Sequence, residues 1–431
     1  MAYEIKYRSD NEMKDSGIEW LGKIPKEWEV RKYKDFAISG MGNTILKEEL
    51  DDEGFPVYSA TEDDSIFGYL KEINLTLNKG DIVIPARGTI GHVYLVKEKI
   101  ATCTQTTIYS KIKNINNKFL VYCAKGLKEY WFVFDNTAIP QITVSQVQNN
   151  LVPVPPCNDQ QKIANFLDIK TSEFDSIISK KELLIEKLEE AKKSLISEVV
   201  TGKVKIVDGE LVEREPEEMK DSGVEWLGMI PKDWEVKRLK YLVNLKSKKT
   251  VPKNDEKYIG LENIESKTGK YLESNEEEFI AEGTSNIFNK NDVLFGKLRP
   301  YLSKCIVADF DGVCSSEILV FEPREIIPQL LKYYILNDDF IDLVNSSTYG
   351  AKMPRASWDF IGNTYMPYFS LLHQKTIIQY LDNASNKMDS IITKTKKQIT
   401  KLKEAKQSLI SEAVTGKIDL RDWEIIETGG R

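Results

Sequence analysis

Apolar residues recur at seven-residue spacing in two long, otherwise polar segments of this 431-residue chain. Such spacing predicts amphipathic helices that bury the repeating positions against each other. The predicted seam consists of one row at Leu167, Phe174, Leu188, Leu195, Leu381, Met388, Leu402 and Leu409, and a companion row at Ile177, Leu184, Ala191, Ala384, Ile391 and Ala405. A glycine follows each segment, Gly202 in the first and Gly416 in the second, and predicts where each helix ends.

Shorter apolar runs bounded by turn residues fill much of the remaining sequence. Residues 82–84, 93–96, 306–307 and 318–321 have the length and composition of strands. Residues 119–124 and 330–336 have the composition of short helices. The regions outside the long helices are therefore predicted to be mixed α/β domains.

The chain contains an internal duplication. Residues 13–30 (MKDSGIEWLGKIPKEWEV) return at residues 219–236 as MKDSGVEWLGMIPKDWEV, and the end of the first long segment returns as the end of the second. The sequences between these copies diverge, although Cys103 and Cys314 occupy corresponding positions. The tryptophans of the repeated motif are the same in both copies, which favours packing at a helix end over a role in specific recognition.

The predicted fold class is mixed α/β (α+β): two α/β domains joined by two long helices that form an antiparallel coiled coil, with an internal pseudo-twofold axis. The predicted boundaries are a first domain at 1–157, a central helix at 158–203, a linker at 204–218, a second domain at 219–369, a C-terminal helix at 370–417 and a tail at 418–431.

An antiparallel pair of helices would present two similar domains in inverted orientation. Duplex DNA has local dyads of its own, and paired recognition modules dock on it about one helical turn, ~34–36 Å, apart. Because the two domains differ in sequence, the site that they read is predicted to be asymmetric and bipartite, with a spacer between the halves. A duplicated protein-binding scaffold braced by a coiled coil explains the same geometry, and geometry alone leaves both interpretations open.

Composition limits the chemistry that the chain can perform. It has only two histidines, His92 and His373, and five irregularly spaced cysteines, so a metal cluster or a catalytic triad in each half is not expected. No GxxxxGK phosphate loop and no glycine-rich methyl-donor loop after a strand occurs. With no long apolar run and no signal-like N-terminus, we expect a cytoplasmic chain that binds neither a membrane nor a metal and has no cofactor of its own.

Candidate DNA contacts lie in the divergent loops, where arginine can pair with guanine, glutamine with adenine, and lysine with phosphate. One pair of loops supplies Arg87, Thr89, His92, Lys297, Arg299, Tyr301 and Lys304. The other pair supplies Gln141, Thr143, Ser145, Gln146, Lys352, Arg355 and Ser357. For any single residue, an ordinary solvated loop position is the competing interpretation.

The two repeated motifs, the QQKIANFLD start of the first helix at residues 160–168 and the SLISEVVTGK and SLISEAVTGK helix ends resemble the specificity subunits of type I restriction–modification systems. The chain departs from the pattern at His373, where the second helix starts more loosely. The resemblance implies a non-catalytic DNA-recognition subunit of a bacterial or archaeal cytoplasmic complex. It further implies that the coiled coil sets the spacer and docks two modification (methyltransferase) subunits on double-stranded DNA.

The same resemblance places adenine methylation and ATP-dependent cleavage, with S-adenosylmethionine, ATP and Mg²⁺, in modification and restriction partner chains. The sequence leaves two alternatives open. One is a coiled-coil protein-binding adaptor without DNA recognition, and the other is a recognition subunit of a system that methylates without restricting.

Overall fold

The computed structural model describes residues 5–61, 65–133, 140–252, 256–273, 284–348, 350 and 352–424. The chain divides into two compact units, one of Met1–Glu182 with Lys396–Arg431 and one of Leu183–Thr395. Each unit therefore contains one variable domain together with a part of each long helix.

The first unit combines short strands with short helices. Its strands are β1 (Met13–Asp15), β2 (Lys23–Pro25), β3 (Glu29–Lys32), β4 (Ala37–Met41), β5 (Phe55–Tyr58), β6 (Gly68–Leu70), β7 (Leu77–Asn78), β8 (Ile82–Pro85), β9 (Tyr94–Leu95), β10 (Ile100–Cys103), β11 (Thr107–Ile112) and β12 (Leu151–Val154). Its helices are α1 (Asn117–Gly126), α2 (Lys128–Trp131) and α3 (Val144–Asn149), followed by the long helix α4 (Cys157–Val200).

Two four-stranded sheets form the first domain. One has the order β6-β5-β10-β7, in which β5 and β10 are parallel, and the other has the antiparallel order β4-β11-β8-β9. Strand β8 is buried along its whole length, as its unbroken apolar sequence requires. The buried side chains of Tyr58, Leu77, Val83, Tyr94 and Cys103 form a small core of their own, to which strands of both sheets contribute.

The second unit repeats this composition after a hairpin. Its strands are β13 (Val204–Val207), β14 (Glu210–Glu213), β15 (Met219–Asp221), β16 (Met229–Pro231), β17 (Glu235–Arg238), β18 (Val243–Lys246), β19 (Lys249–Thr250), β20 (Tyr258–Ile259), β21 (Ser285–Phe288), β22 (Val293–Gly296), β23 (Cys305–Val307), β24 (Gly312–Cys314), β25 (Ile318–Pro323) and β26 (Tyr365–Tyr368). Its helices are α5 (Leu239–Leu242), α6 (Pro328–Ile335), α7 (Asp338–Ser346), α8 (Trp358–Asn363) and the long helix α9 (Leu371–Val414).

The two domains share the order of one sheet and the pairing of three strands in the other, β5-β10-β7 and β20-β24-β21, whereas the edge strands β6 and β19 lie at opposite edges. The antiparallel sheet of the second domain has the order β18-β25-β22-β23, strand for strand the order of β4-β11-β8-β9. Its other sheet, β19-β21-β24-β20, contains the parallel pair β20–β24, which corresponds to β5–β10. The mixed α/β prediction is therefore confirmed, and the duplication extends to the divergent regions. The short helices and strands predicted from the apolar runs appear as α1, α6, β8, β9, β23 and β25.

The segment predicted as a linker, residues 204–218, is ordered. Strands β13 and β14 pair across a two-residue turn in which Asp208 and Gly209 both have positive φ, 53° and 85°. An Asp-Gly pair of this kind matches the twist of a tight hairpin. The acidic composition that favoured a linker reflects the exposed faces of this hairpin.

The long helices run antiparallel in the first unit. There Lys406 donates to Asp175 at 2.6 Å and Lys181 donates to Gln398 at 2.7 Å, so the residue number rises along α4 while it falls along α9. In the second unit Lys192 donates to Asp389 at 2.7 Å. Both helices end as predicted. For example, Gly202, with φ of 76°, terminates α4, where Lys203 N–H donates to the Glu198 carbonyl at 2.9 Å.

One row of the predicted coiled-coil core is buried. Leu167, Leu195, Leu381 and Leu409 are 0–8% exposed. The remaining members of that row are partly exposed: Phe174, Leu188, Met388 and Leu402.

The companion row predicted from the sequence is wrong except at Ala384, which packs against the core of the second unit. Ile177, Leu184 and Ile391 are 44%, 44% and 46% exposed, whereas the neighbouring Ile178 and Ile392 are 7% and 8% exposed. A heptad seam alternates steps of three and four residues, and the sequence offers an apolar side chain at both positions. The true second row lies four residues after the first, which leaves a second apolar row on the surface of the helices.

The repeated motif packs against the ends of the long helices, as predicted from the tryptophans that both copies share. Trp28 and Trp234 are each 1% exposed. A Cβ atom added to Gly416 would lie 2.5 Å from Pro25 and 2.9 Å from Trp28, and one added to Gly202 would lie at the same distances from Pro231 and Trp234. Each glycine is therefore needed both for its backbone angle and for the close approach of the motif.

Candidate nucleic-acid interface

Three chain segments meet beyond the end of strand β8 in the first unit. The Ala86 N–H donates to the Thr106 carbonyl at 2.8 Å, and the Ile142 N–H donates to the Ala86 carbonyl at 3.0 Å. Arg87 and Gln141 also form an antiparallel β-bridge. The two loops that were predicted separately from the sequence, around residues 87 and 141, therefore form one surface.

The second unit repeats this arrangement beyond the end of strand β22. The Lys297 N–H donates to the Glu317 carbonyl at 2.9 Å, the Ala356 N–H donates to the Lys297 carbonyl at 2.9 Å, and Leu298 bridges Arg355. These bonds join the positions that correspond to those of the first unit. We call this arrangement the three-segment platform: residues 85–87, 104–107 and 141–142 in the first unit, and 296–298, 315–318 and 355–356 in the second.

Although the backbone of the platform is shared, its side chains are not. In the first unit the exposed Arg87 donates through Nε to Gln141 Oε1 at 3.1 Å. Thr106 shares a hydroxyl network with Thr104 and Ser59, at 2.7 and 3.3 Å. This platform therefore presents one cation, one amide and a cluster of hydroxyl groups.

In the second unit the corresponding positions carry a charged pair and an apolar residue. Arg355 donates to the Glu317 carboxylate from Nε and Nη2, at 3.0–3.3 Å. Leu298 stands in place of Arg87, and Glu317 stands in place of Thr106. Two platforms with one backbone and different polar groups have the chemistry to read two different base sequences.

Arg299 sits next to the second platform in a left-handed backbone conformation, with φ of 50°. The corresponding residue of the first unit is Gly88, with φ of 75°. The turn thus retains the conformation that glycine favours, although the residue is now arginine, at a cost of about 1 kcal/mol. Strain of this kind concentrates at functional sites, and the Arg299 side chain is exposed beside the platform.

Several predicted contacts have structural roles that the sequence did not reveal. Thr143 accepts the Gln146 N–H at 3.2 Å, and Gln146 Oε1 accepts the Thr143 N–H at 2.8 Å, so these two residues cap α3. Ser357 accepts the Phe360 N–H at 3.3 Å and caps α8. The two capping positions correspond in the duplication, and both fix the loop that precedes them.

Other predicted residues anchor the loops. Thr89 donates to the Thr61 carbonyl at 2.9 Å, and the His92 ring lies 4.6 Å from that of Tyr94. Lys304 donates to the Leu261 carbonyl at 2.6 Å. The predicted residues Ser145, Tyr301 and Lys352 are exposed, and Lys297 is half-buried.

Sequence reasoning missed Glu317 and Thr106, which place a different polar group on each platform. Their signal was available in the duplication, because they occupy corresponding positions three residues after Cys103 and Cys314. Burial raises the pKa of Cys103 to about 11 and that of Cys314 to about 12. Both thiols are therefore protonated at neutral pH and act as packing groups behind the platforms.

No group of histidine, cysteine, aspartate or glutamate side chains in the described ranges is arranged to hold a metal ion. None of the helices formed by those residues combines the length and the apolarity needed to cross a bilayer.

Comparison with known proteins places this architecture in a family. Residues 25–189 and 231–401 match the family model described as the type I restriction modification DNA specificity domain. The chain is 26% identical to the MjaVIII specificity subunit of Methanocaldococcus jannaschii, over 96% of this chain and 98% of the relative. It is 20% identical to the EcoDI specificity subunit of Escherichia coli, over 92% and 90%.

The fold comparison agrees with the sequence comparison. A solved chain from work on complex assembly and conformational transition of the type I R-M system superposes with a TM-score of 0.65 at 14% identity, over 91% of this chain and 98% of that one. Because the family model covers both domains and most of the sequence, the chain belongs to the type I restriction–modification DNA specificity family.

Proposed function

We propose that this chain is the DNA sequence-recognition subunit of a type I restriction–modification complex, and that each three-segment platform reads one half of an asymmetric, bipartite duplex site. The observation that supports this most directly is the pairing of a shared backbone with different polar side chains. Equivalent backbone hydrogen bonds hold Ala86 in the first unit and Lys297 in the second. A protein-binding scaffold has no need to preserve the platform while replacing Arg87, Thr106 and Gln141.

The second apolar row on the long helices supports the docking of partner subunits. Ile177 and Leu184 lie seven residues apart on α4, and Ile391 lies on α9, each with nearly half of its side-chain surface exposed. Seven-residue spacing places side chains on one face of a helix. We propose that helices of the two modification subunits cover these residues. Restriction subunits would then join the complex through the modification subunits.

The partner chains would also carry the chemistry. We assign adenine methylation, ATP-dependent cleavage and the associated S-adenosylmethionine, ATP and Mg²⁺ to them. The recognition subunit supplies base contacts and spacing only.

The charge of the chain predicts weak binding without partners. Phosphate contacts provide much of the affinity of DNA-binding proteins, and this chain has a net charge of −7. We therefore expect the modification subunits to complete the clamp around DNA.

The test is selection of bound duplexes from a random DNA library by the chain in complex with its modification subunit. The expected result is an asymmetric motif with two read segments and an unread spacer. Retention of DNA without any sequence preference, with an intact complex, would instead support the protein-binding adaptor. A gel-shift titration with and without the modification subunit tests whether that subunit completes the clamp around DNA. Equally tight and specific binding by the free chain would contradict this proposal.

A further inference from the structure

We propose that Arg87 reads a guanine in the half-site of the first domain, and that Gln141 is the positioning residue that orients its guanidinium. This inference rests on the proposed function and assigns roles within it. Two segments of the platform are joined by a side-chain contact: Arg87 Nε donates to Gln141 Oε1 at 3.1 Å, across 54 positions of the sequence. The β-bridge between the same two residues fixes their backbones.

The contact determines which edge of the guanidinium faces outward. Arginine has five N–H donors in a planar fork. With Nε held by Gln141, the edge formed by Nη1 and Nη2 has no hydrogen-bond or ion-pair partner among the residues that the structure describes. That edge presents two parallel donors, which match the O6 and N7 acceptors of guanine in the major groove.

A neutral partner suits this role. The Gln141 amide accepts from Nε without neutralising the guanidinium, so Arg87 keeps its full charge for the DNA. A flexible exposed arginine loses side-chain entropy when it binds, and a fixed one loses less. Gln141 therefore contributes to the preference for guanine by holding Arg87 in one orientation.

The second platform also ties an arginine to another segment, but by different contacts. Leu298 replaces Arg87, and the arginine lies instead at the position of Gln141, as Arg355. Its Nε and Nη2 both donate to the Glu317 carboxylate, at 3.0 and 3.2 Å, so its Nη1–Nη2 edge is partly occupied. Each platform thus holds one arginine by a side chain from another segment, but on opposite sides of the β-bridge. The recurrence argues that a tethered arginine belongs to the platform and is not an accident of one loop.

The experiment measures base preference at every position of the recognised site, by selection of bound DNA with the recognition chain in its complex with the modification subunit. The chains compared are the wild type, Arg87→Ala, Arg87→Lys, Gln141→Ala, Gln141→Glu and, as a matched control on the other platform, Arg355→Ala. Wild-type protein is expected to select a guanine in one half-site. Arg87→Ala should reduce the preference for that guanine by roughly ten- to hundredfold, with the other half-site unchanged.

The remaining variants separate reading from positioning. Arg87→Lys keeps the charge but cannot pair through two parallel donors, so it should lose the guanine preference as well. Gln141→Ala should weaken that preference several-fold, and Gln141→Glu, which restores an acceptor for Nε, should recover it while lowering affinity for all sequences. A further variant, Gln141→Met, keeps the bulk of the side chain but removes the acceptor. It should lose the guanine preference as Gln141→Ala does, whereas a packing role for Gln141 would leave that preference intact. Arg355→Ala should alter the other half-site alone.

Three results would overturn the inference while leaving the proposed function intact. One is a bipartite site without guanine in the half that responds to Arg87→Ala. The second is a uniform loss of affinity in Arg87→Ala with unchanged base preferences, which identifies a phosphate contact. The third is loss of an adenine in Gln141→Ala with the guanine preference retained, because Gln141 would then read a base itself. The absence of any bipartite motif with wild-type protein would instead reject the proposed function.

Discussion

Replacing Gly202 by alanine should destabilise the second unit far more than the same change at Gly209. Both glycines have left-handed backbone angles, with φ of 76° and 85°. A Cβ atom at Gly202 would lie 2.5 Å from Pro231 and 2.9 Å from Trp234, whereas one at Gly209 has no heavy atom within 4 Å. The two substitutions therefore share a backbone cost and differ in packing.

The magnitudes follow from these two contributions. A left-handed alanine costs about 1–2 kcal/mol at either position. Overpacking against the buried ring of Trp234 adds about 1–3 kcal/mol at Gly202 alone. With urea m-values of about 1–3 kcal/mol per molar, the midpoint of Gly202→Ala should lie roughly 0.5–1.5 M below that of Gly209→Ala.

The assay is urea unfolding of the full chain followed by circular dichroism, with tryptophan fluorescence as a second probe of the same transition. Gly416→Ala, which meets Pro25 and Trp28 at the same distances, should reproduce the larger effect for the first unit. Equal midpoints for Gly202→Ala and Gly209→Ala would show that the repeated motif does not depend on close contact with the end of the helix.

Four further predictions test other parts of the structure. Ile178→Asp should destabilise the first unit by about 3 kcal/mol or more in thermal unfolding because it buries an unpaired charge. The adjacent Ile177→Asp should stay within about 1 kcal/mol of wild type. A larger loss of stability in Ile177→Asp than in Ile178→Asp would support the companion row predicted from sequence. The same Ile177→Asp change should weaken co-purification with the modification subunit, and unchanged co-purification would argue against docking on this row. Burial lowers the pKa of His373 below its usual 6.5. The stability that the neutral ring contributes is therefore present above pH 6.5 and is lost as pH falls through the pKa of the folded state. His373→Phe should show a smaller fall in melting temperature between about pH 7 and pH 5 than the wild type, and an identical fall would contradict this. Arg299→Gly should raise the stability of the second unit by up to about 1 kcal/mol while weakening DNA binding by the complex, and a loss of stability would show that the left-handed turn is not strained.

The sequence predicted elements better than contacts between them. Heptad spacing, the final glycines and the apolar runs identified the long helices, the strand β8 and the short helices, because each depends on neighbouring residues only. The second row of the seam could not be chosen, since Ile177 and Ile178 are both apolar and only the partner helix decides which one is buried. The loops around residues 87 and 141 were found by their composition.

The pairings of Gln141 with Arg87 and of Glu317 with Arg355 could not be predicted, because they join segments far apart in sequence and depend on strand register. Hydroxyl and amide groups also have two uses that composition does not distinguish. Thr143 and Ser357 resemble DNA contacts in the sequence, yet each caps a short helix.

The central claim is that the two platforms read two half-sites independently. Its most direct test is methylome sequencing of a host that expresses the complex with either the wild-type chain or a chain whose residues 35–151 are exchanged for those of a relative. We predict that one half of the methylated site changes while the other half and the spacer stay the same. If both halves change together, or neither does, the independent reading of two half-sites is contradicted.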